Sequence, residues 1–137
     1  MTKQTVLAAL AALAMAGPAF AGDPAAGEAD FKKCKACHSI IAPDGTAFQK
    51  GGKNGPNLYG IVGRGVASDP DYIYGPSLLA LGASGRTWDE SSLAAYIADP
   101  AGWLKETLGD TGARSKMTFR LGAGAEDVAA YLASVGG

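Results

Sequence analysis

"KKCKACHSI", residues 32–40, holds both cysteines of the 137-residue chain and its only histidine within five consecutive positions. A Cys-x-x-Cys pair closes a very small ring and adds little loop-closure stabilisation, so a structural disulfide is the weaker use of it. Three other chemistries employ such a pair: a thioredoxin-like dithiol, half of a zinc site, or a covalent haem anchor. A closed zinc site needs four ligands, and adjacent Cys37 and His38 are awkward for one tetrahedron. A redox dithiol follows a strand and opens a helix, and no strand-rich segment precedes Cys34. Haem attachment uses all three residues. Two thiols add to the two vinyl groups, and the residue directly after the second thiol lies under the iron. The spacing therefore predicts Cys34 and Cys37 as the anchors of one haem c, with His38 as an axial iron ligand.

The stretch before the motif sets the compartment. Residues 1–21 carry a lysine at position 3, an apolar run over residues 6–16, a Gly17-Pro18 break and a small-x-small Ala19-Phe20-Ala21 end. That pattern predicts a signal peptide cleaved after Ala21. The run is shorter than the roughly 20 apolar residues that span a bilayer. The expected product is an exported, periplasmic chain, a single domain over residues 22–137 with no membrane span. Covalent attachment suits that compartment because it prevents loss of the cofactor. Removing Lys3 takes the 12 basic side chains to 11, against 13 acidic, a balance that gives no reason to expect nucleic acid as a partner.

Ligands for the other axial position are few: a second His, a Met, occasionally a Lys or an amine. There is no second histidine, and Met1 and Met15 leave with the leader, so Met117 in "RSKMTFRL" is the thioether of the mature chain. A lone Met is often core filler. Here it stands in a polar stretch and not on a periodic apolar face, which favours the ligand reading; Lys116 is the alternative ligand.

Asp23-Pro24 reads as an N-cap and first helical residue, followed by Gly27, Phe31 and Cys34 on one face of a helix that delivers the anchor. Thr87-Trp88-Asp89-Glu90 reads as a capping box opening a helix that ends at Pro100, and Asp99-Pro100 as the cap of another short helix. Val128, Tyr131, Leu132 and Val135 recur at helical spacing behind Glu126 and Asp127, acids suited to a helix N-terminus. Between Ser39 and Gly75 neither period is sustained. Loops this long are uncommon in compact domains without a task, and wrapping a flat apolar macrocycle is such a task.

The stretches "GEADFKKCKACHSI", "GPNLYGIVGR", "TWDESSLAAYIADP", "KMTF" and "EDVAAYLASV" occur in that order over essentially the whole mature length. The chain thereby resembles class I cytochromes c, most closely the bacterial cytochrome c2 type. The resemblance implies an all-α class I cytochrome c fold, helices and long loops around the haem, with the first and last helices crossing near Gly27, Phe31, Tyr131 and Leu132. It implies that the Pro56 carbonyl accepts from His38 and that Tyr96 touches the Met117 sulfur. Arg64, Tyr74 and Trp88 would hold one haem propionate, and Ser115 the other. Two departures stand out: a longer segment between Tyr96 and Met117, and "GPSLL" between Tyr74 and Trp88, where a more polar stretch is common.

The function implied is one-electron transfer and no enzymatic step. The implied partners are a cytochrome bc1 complex as donor and a photosynthetic reaction centre or cytochrome oxidase as acceptor, met by peripheral docking of a monomer. Lys32, Lys33 and Lys35 flank the anchor, Lys53 lies on the wrapping loop and Lys116 precedes Met117. Together they predict a positive ring at the haem edge, with acids such as Asp69 and Asp71 behind it. Two other functions stay open at this level. One is a catalytic or gas-binding haem protein with a labile sixth site, favoured by glycines in the Met117 segment. The other is a thiol redox protein without haem.

Overall fold

A computed structural model describes residues 22–136. The expected signal peptide, residues 1–21, lies outside the described residues. Helix α1 spans Pro24–Asp30: Asp23 Oδ1 accepts from the Ala25 N–H at 3.0 Å, and Pro24 takes the first position, whose N–H would have had no partner. A 3-10 turn, Phe31–Lys33, tightens the helix into Cys34.

The chain next forms an antiparallel hairpin, β1 (Ile40–Ile41) and β2 (Ala47–Gln49), a small sheet that the sequence reading of residues 39–75 as loop does not contain. Asp44-Gly45 makes its turn, with Thr46 N–H donating to Asp44 Oδ1 at 2.9 Å and Gly45 at a φ of 88°. Asn57 holds the hairpin to the wrapping loop by accepting from the Ile41 N–H at 3.0 Å and donating to the Ile41 carbonyl at 2.8 Å.

Helix α2 (Pro76–Ala83) occupies the "GPSLL" departure, with Pro76 again at a helix start. Helix α3 spans Glu90–Ala98, and its cap corrects the sequence reading. Asp89 is the N-cap and Ser92 its reciprocal partner, at 2.7 Å and 3.1 Å. Thr87 is taken up instead by a bridge to Gly65, beside Trp88 N–H to the Arg64 carbonyl at 2.9 Å and Val66 N–H to the Arg86 carbonyl at 2.8 Å. This short ladder holds residues 86–88 extended and moves the helix start two residues on. Helix α4 (Pro100–Leu108) is capped by Asp99, as the Asp-Pro pair predicts, and ends at Gly109 in the left-handed region.

Helix α5 (Ala125–Ser134) carries Glu126 and Asp127 in its first turn; Val135 lies just past its end. It crosses α1 at Gly27, where a Cβ would collide with the Asp127 carbonyl and come within 2.8 Å of the Tyr131 Cβ. Only a residue without a side chain lets the two backbones approach this closely. Beside it the Phe31 and Tyr131 rings pack 5.9 Å apart at 60°. Phe31, Leu93, Ile97, Val128 and Leu132 are buried core residues that also form one wall of a cleft. Burying a side chain of this size stabilises by about 1.5–3 kcal/mol. Among the described residues no helix is long and apolar enough to cross a membrane.

Candidate haem site

The cleft is open to solvent on one side and is lined mainly by apolar and aromatic side chains. Its walls bring together Cys34, Cys37, His38, Pro56, Tyr74, Trp88, Tyr96, Lys116 and Met117, from segments spread over the length of the domain.

One wall is the anchor turn. The His38 and Cys37 N–H groups donate to the Cys34 carbonyl at 2.9 Å and 3.1 Å, closing the turn into one helical loop. The glycine-rich segment 51–55 lies flat on it: Gly52 N–H donates to the Lys35 carbonyl and Gly55 N–H to the Cys37 carbonyl, each at 2.8 Å. A Cβ at Gly55 would run into the His38 ring, so the imidazole rests directly on backbone. Nδ1 of His38 lies 2.8 Å from the Pro56 carbonyl oxygen, which can only accept, so Nδ1 carries the proton and Nε2 keeps its lone pair. Burial lowers the His38 pKa, the Pro56 contact opposing it in part, and keeps the imidazole neutral. A neutral ring with a fixed tautomer is what an axial ligand requires. Burial, and next the Asp30 carboxylate, push the Cys34 thiol up to about 11.

Met117, half-buried in a segment without helix or strand, lines the same cleft. Tyr96, buried on α3, lines the same cleft, and its hydroxyl stands 3.3 Å from Ser115 Oγ. Trp88 packs against Tyr96 at 5.1 Å and stacks on Trp103 at 5.3 Å. Trp103 and Tyr72 complete the aromatic framework, and sequence reasoning missed both. Tyr72 meets Tyr74 edge-on at 4.9 Å.

Arg64 tests the fit of a haem. Nη1 and Nη2 donate to the Tyr59 and Asn57 carbonyls at 3.2 Å and 3.0 Å, while Nε is buried with no partner. A buried donor left unmade costs about 1–3 kcal/mol, and a carboxylate reaching it would satisfy it; Arg64 itself lines not the cleft but the adjoining surface groove, which shares Gly55, Pro56 and Tyr72 with it. Two thiols, one imidazole and one thioether on a mainly apolar cleft, with a half-buried arginine beside it that is short of one acceptor, fit a covalently held haem. Ser115 does not line the cleft; it borders a separate surface depression with Lys105 and Arg114.

The charges are less segregated than their order in the chain suggests. Lys32 and Lys33 are exposed, but Lys33 Nζ pairs with Asp30 at 3.1 Å. Lys53 shares a surface groove with Asp69 and Asp71, and Lys35 is half-buried. Lys116 Nζ donates to the Ile73 carbonyl at 2.6 Å.

No general protein-family model matches the chain. Individual relatives do. Cytochrome c2 of Rhodobacter capsulatus is 59% identical over 128 residues, 93% of each chain. Cytochrome c-550 of Paracoccus denitrificans is 50% identical over 135 residues, 96% of this chain and 87% of that one. Among solved structures, cytochrome c2 of Rhodobacter capsulatus superposes with a TM-score of 0.81 at 57% identity, covering 82% of this chain and 97% of that one. Ferric cytochrome c-550 of Paracoccus versutus gives 0.81 at 50% identity, covering 85% and 99%. On this sequence and fold, the chain belongs to the cytochrome c2 family of class I cytochromes c, electron carriers with one covalently bound haem c and not enzymes.

Proposed function

We propose that the chain is a soluble periplasmic one-electron carrier, exported by a cleaved leader over residues 1–21, whose iron is held between His38 and Met117. When bound, the haem supplies the one-electron chemistry, its iron cycling between Fe(III) and Fe(II). The observation that carries the reading is the His38 Nδ1 contact to the Pro56 carbonyl at 2.8 Å, which frees Nε2 on the cleft that also holds Met117.

Each residue has a task in this reading. Cys34 and Cys37 fix the group by thioethers, so that orientation survives thermal motion. His38, locked by Pro56 and Gly55, donates from one side. Met117 donates from the other, and a softer thioether favours the reduced state relative to a harder donor. Held by both His38 and Met117, the iron would leave small exogenous molecules no free site. Arg64, with Tyr74 and Trp88 nearby, would hold a propionate. Tyr96 reaches Ser115 and through it steadies the Met117 segment. Exposed Lys32, Lys33 and Lys53, with Lys35 and Lys116, orient the haem edge towards membrane redox complexes, a bc1-type donor and a reaction centre or cytochrome oxidase as acceptor.

Visible spectra of both oxidation states with and without carbon monoxide test this reading. The reduced spectrum is expected to be unchanged by the gas. A reduced protein that takes up carbon monoxide readily would instead support a gas-binding or catalytic haem protein with an open sixth site.

A further inference from the structure

Lys116 does something at the cleft mouth that a surface lysine does not ordinarily do. The backbone of residues 114–120 makes no hydrogen bond to other backbone among the described residues, so the strap bearing Met117 is held through side chains. At its start the Arg114 N–H donates to Ser77 Oγ at 2.9 Å. From beneath, Ser115 meets Tyr96. At its end Arg120 pairs with Asp99 at 2.9 Å. Lys116, directly before Met117, reaches out of the strap to the facing loop. Its ammonium donates to the Ile73 carbonyl at 2.6 Å and stands 5.1 Å from the centre of the Tyr72 ring. Its stem runs over Gly75, where a Cβ would come within 3.1 Å of Cγ and 3.3 Å of Cδ.

Lys116, Tyr72 and Gly75 all line the cleft, so this contact bridges the two lips of its mouth. A charged donor on a carbonyl, a cation on an aromatic face and a stem laid on a glycine are three contacts made by one side chain. All three break together if the strap lifts.

We propose that Lys116 is a clasp: a positioning residue that holds Met117 in place and sets how readily an external ligand displaces it. The proposal rests on the reading of Met117 as the sixth ligand. It also changes the role of Lys116 in docking, because an ammonium committed to Ile73 and Tyr72 is less available to a partner than that of Lys53, which has no acidic or carbonyl acceptor within bonding range among the described residues.

A ligand entering the distal side must first pay out the strap, so the stability of the closed strap enters its apparent affinity directly. Losing a charge-assisted hydrogen bond together with the ring contact should tighten the binding of an external ligand about tenfold. The experiment uses oxidised holo-protein and imidazole, a probe that is largely neutral above its pKa. Lys116→Leu keeps part of the stem and removes the ammonium; Lys116→Gln is a second variant with a polar end; Lys53→Leu removes the same charge without touching the clasp, and Lys53→Met is compared with it.

Both Lys116 variants are expected to bind imidazole about tenfold more tightly, with faster amide hydrogen exchange in residues 114–121, while both Lys53 variants stay within about twofold of the parent, as a change in surface charge alone would. Unaltered affinity and exchange in the Lys116 variants, or an equal gain in the Lys53 variants, would overturn the clasp. An oxidised parent protein lacking the sulfur-to-iron charge-transfer band would overturn the Met117 reading itself. A parent with the band and Lys116 variants without the gain would overturn the clasp alone.

Discussion

The two sides of the cleft are built by different means. On the His38 side, backbone meets backbone: segment 51–55 bonds to the carbonyls of Lys35 and Cys37, Gly55 lies against the imidazole, and Pro56 fixes the tautomer. On the Met117 side, side chains do the holding: Ser77, Tyr96, Lys116 and Arg120 tie down a strap with no regular structure of its own. Backbone bonds between rigid neighbours open only with the surrounding structure, whereas a strap held by separate, mostly exposed contacts opens locally. The difference teaches that local opening belongs to the Met117 side and rigidity to the His38 side.

The largest expected effect comes from making the same substitution on each side. Gly55→Ala places a methyl group in the His38 ring, and relieving it requires movement of ring or loop; a stability loss of about 1–3 kcal/mol is expected, with a disturbed haem spectrum. Gly122→Ala, just beyond the strap, meets nothing within 4 Å and has no left-handed φ. It should change stability by less than about 1 kcal/mol, and towards greater stability through the unfolded chain. Thermal unfolding of the two holo-proteins checks this contrast. Equal losses would erase the distinction between the two sides.

A smaller effect is expected at the surface. Lys53→Glu should slow the reaction with a redox partner at low salt, and the difference should fade as the screening length shrinks from about 30 Å at 0.01 M to about 10 Å at 0.1 M. Lys33→Glu should slow it less, because the Lys33 ammonium is already neutralised in part by Asp30. Stopped-flow rates across ionic strength separate the two. A rate flat with salt would remove the electrostatic docking model and leave the haem site untouched.

The anchor was legible in the sequence because its chemistry depends on adjacency: two thiols and the following imidazole have to be neighbours in the chain. Helices α1, α3, α4 and α5 announced themselves through caps and apolar spacing, which are local signals. The hairpin did not, since strands of two and three residues are too short for an alternating pattern, and only Asp44-Gly45 marked its turn. Helix α2 was hidden because "PSLLALGA" is apolar on nearly every side and too short to show a period. The two-residue error at Thr87 has a tertiary origin, the ladder with residues 64–66. The Ser115 contact with Tyr96 and the reach of Lys116 to Ile73 join residues far apart in the chain. Propensity and spacing carry no record of such pairs.

The central claim is that Met117 completes the coordination opposite His38, and the direct measurement compares oxidised parent protein with Met117→Ala. The parent is expected to show the sulfur-to-iron charge-transfer band. The variant should lose it, fall in reduction potential and bind carbon monoxide when reduced, because a thioether favours Fe(II) relative to the harder donors that would replace it. An unchanged band and potential in Met117→Ala would show that another group ligates the iron and would contradict the account.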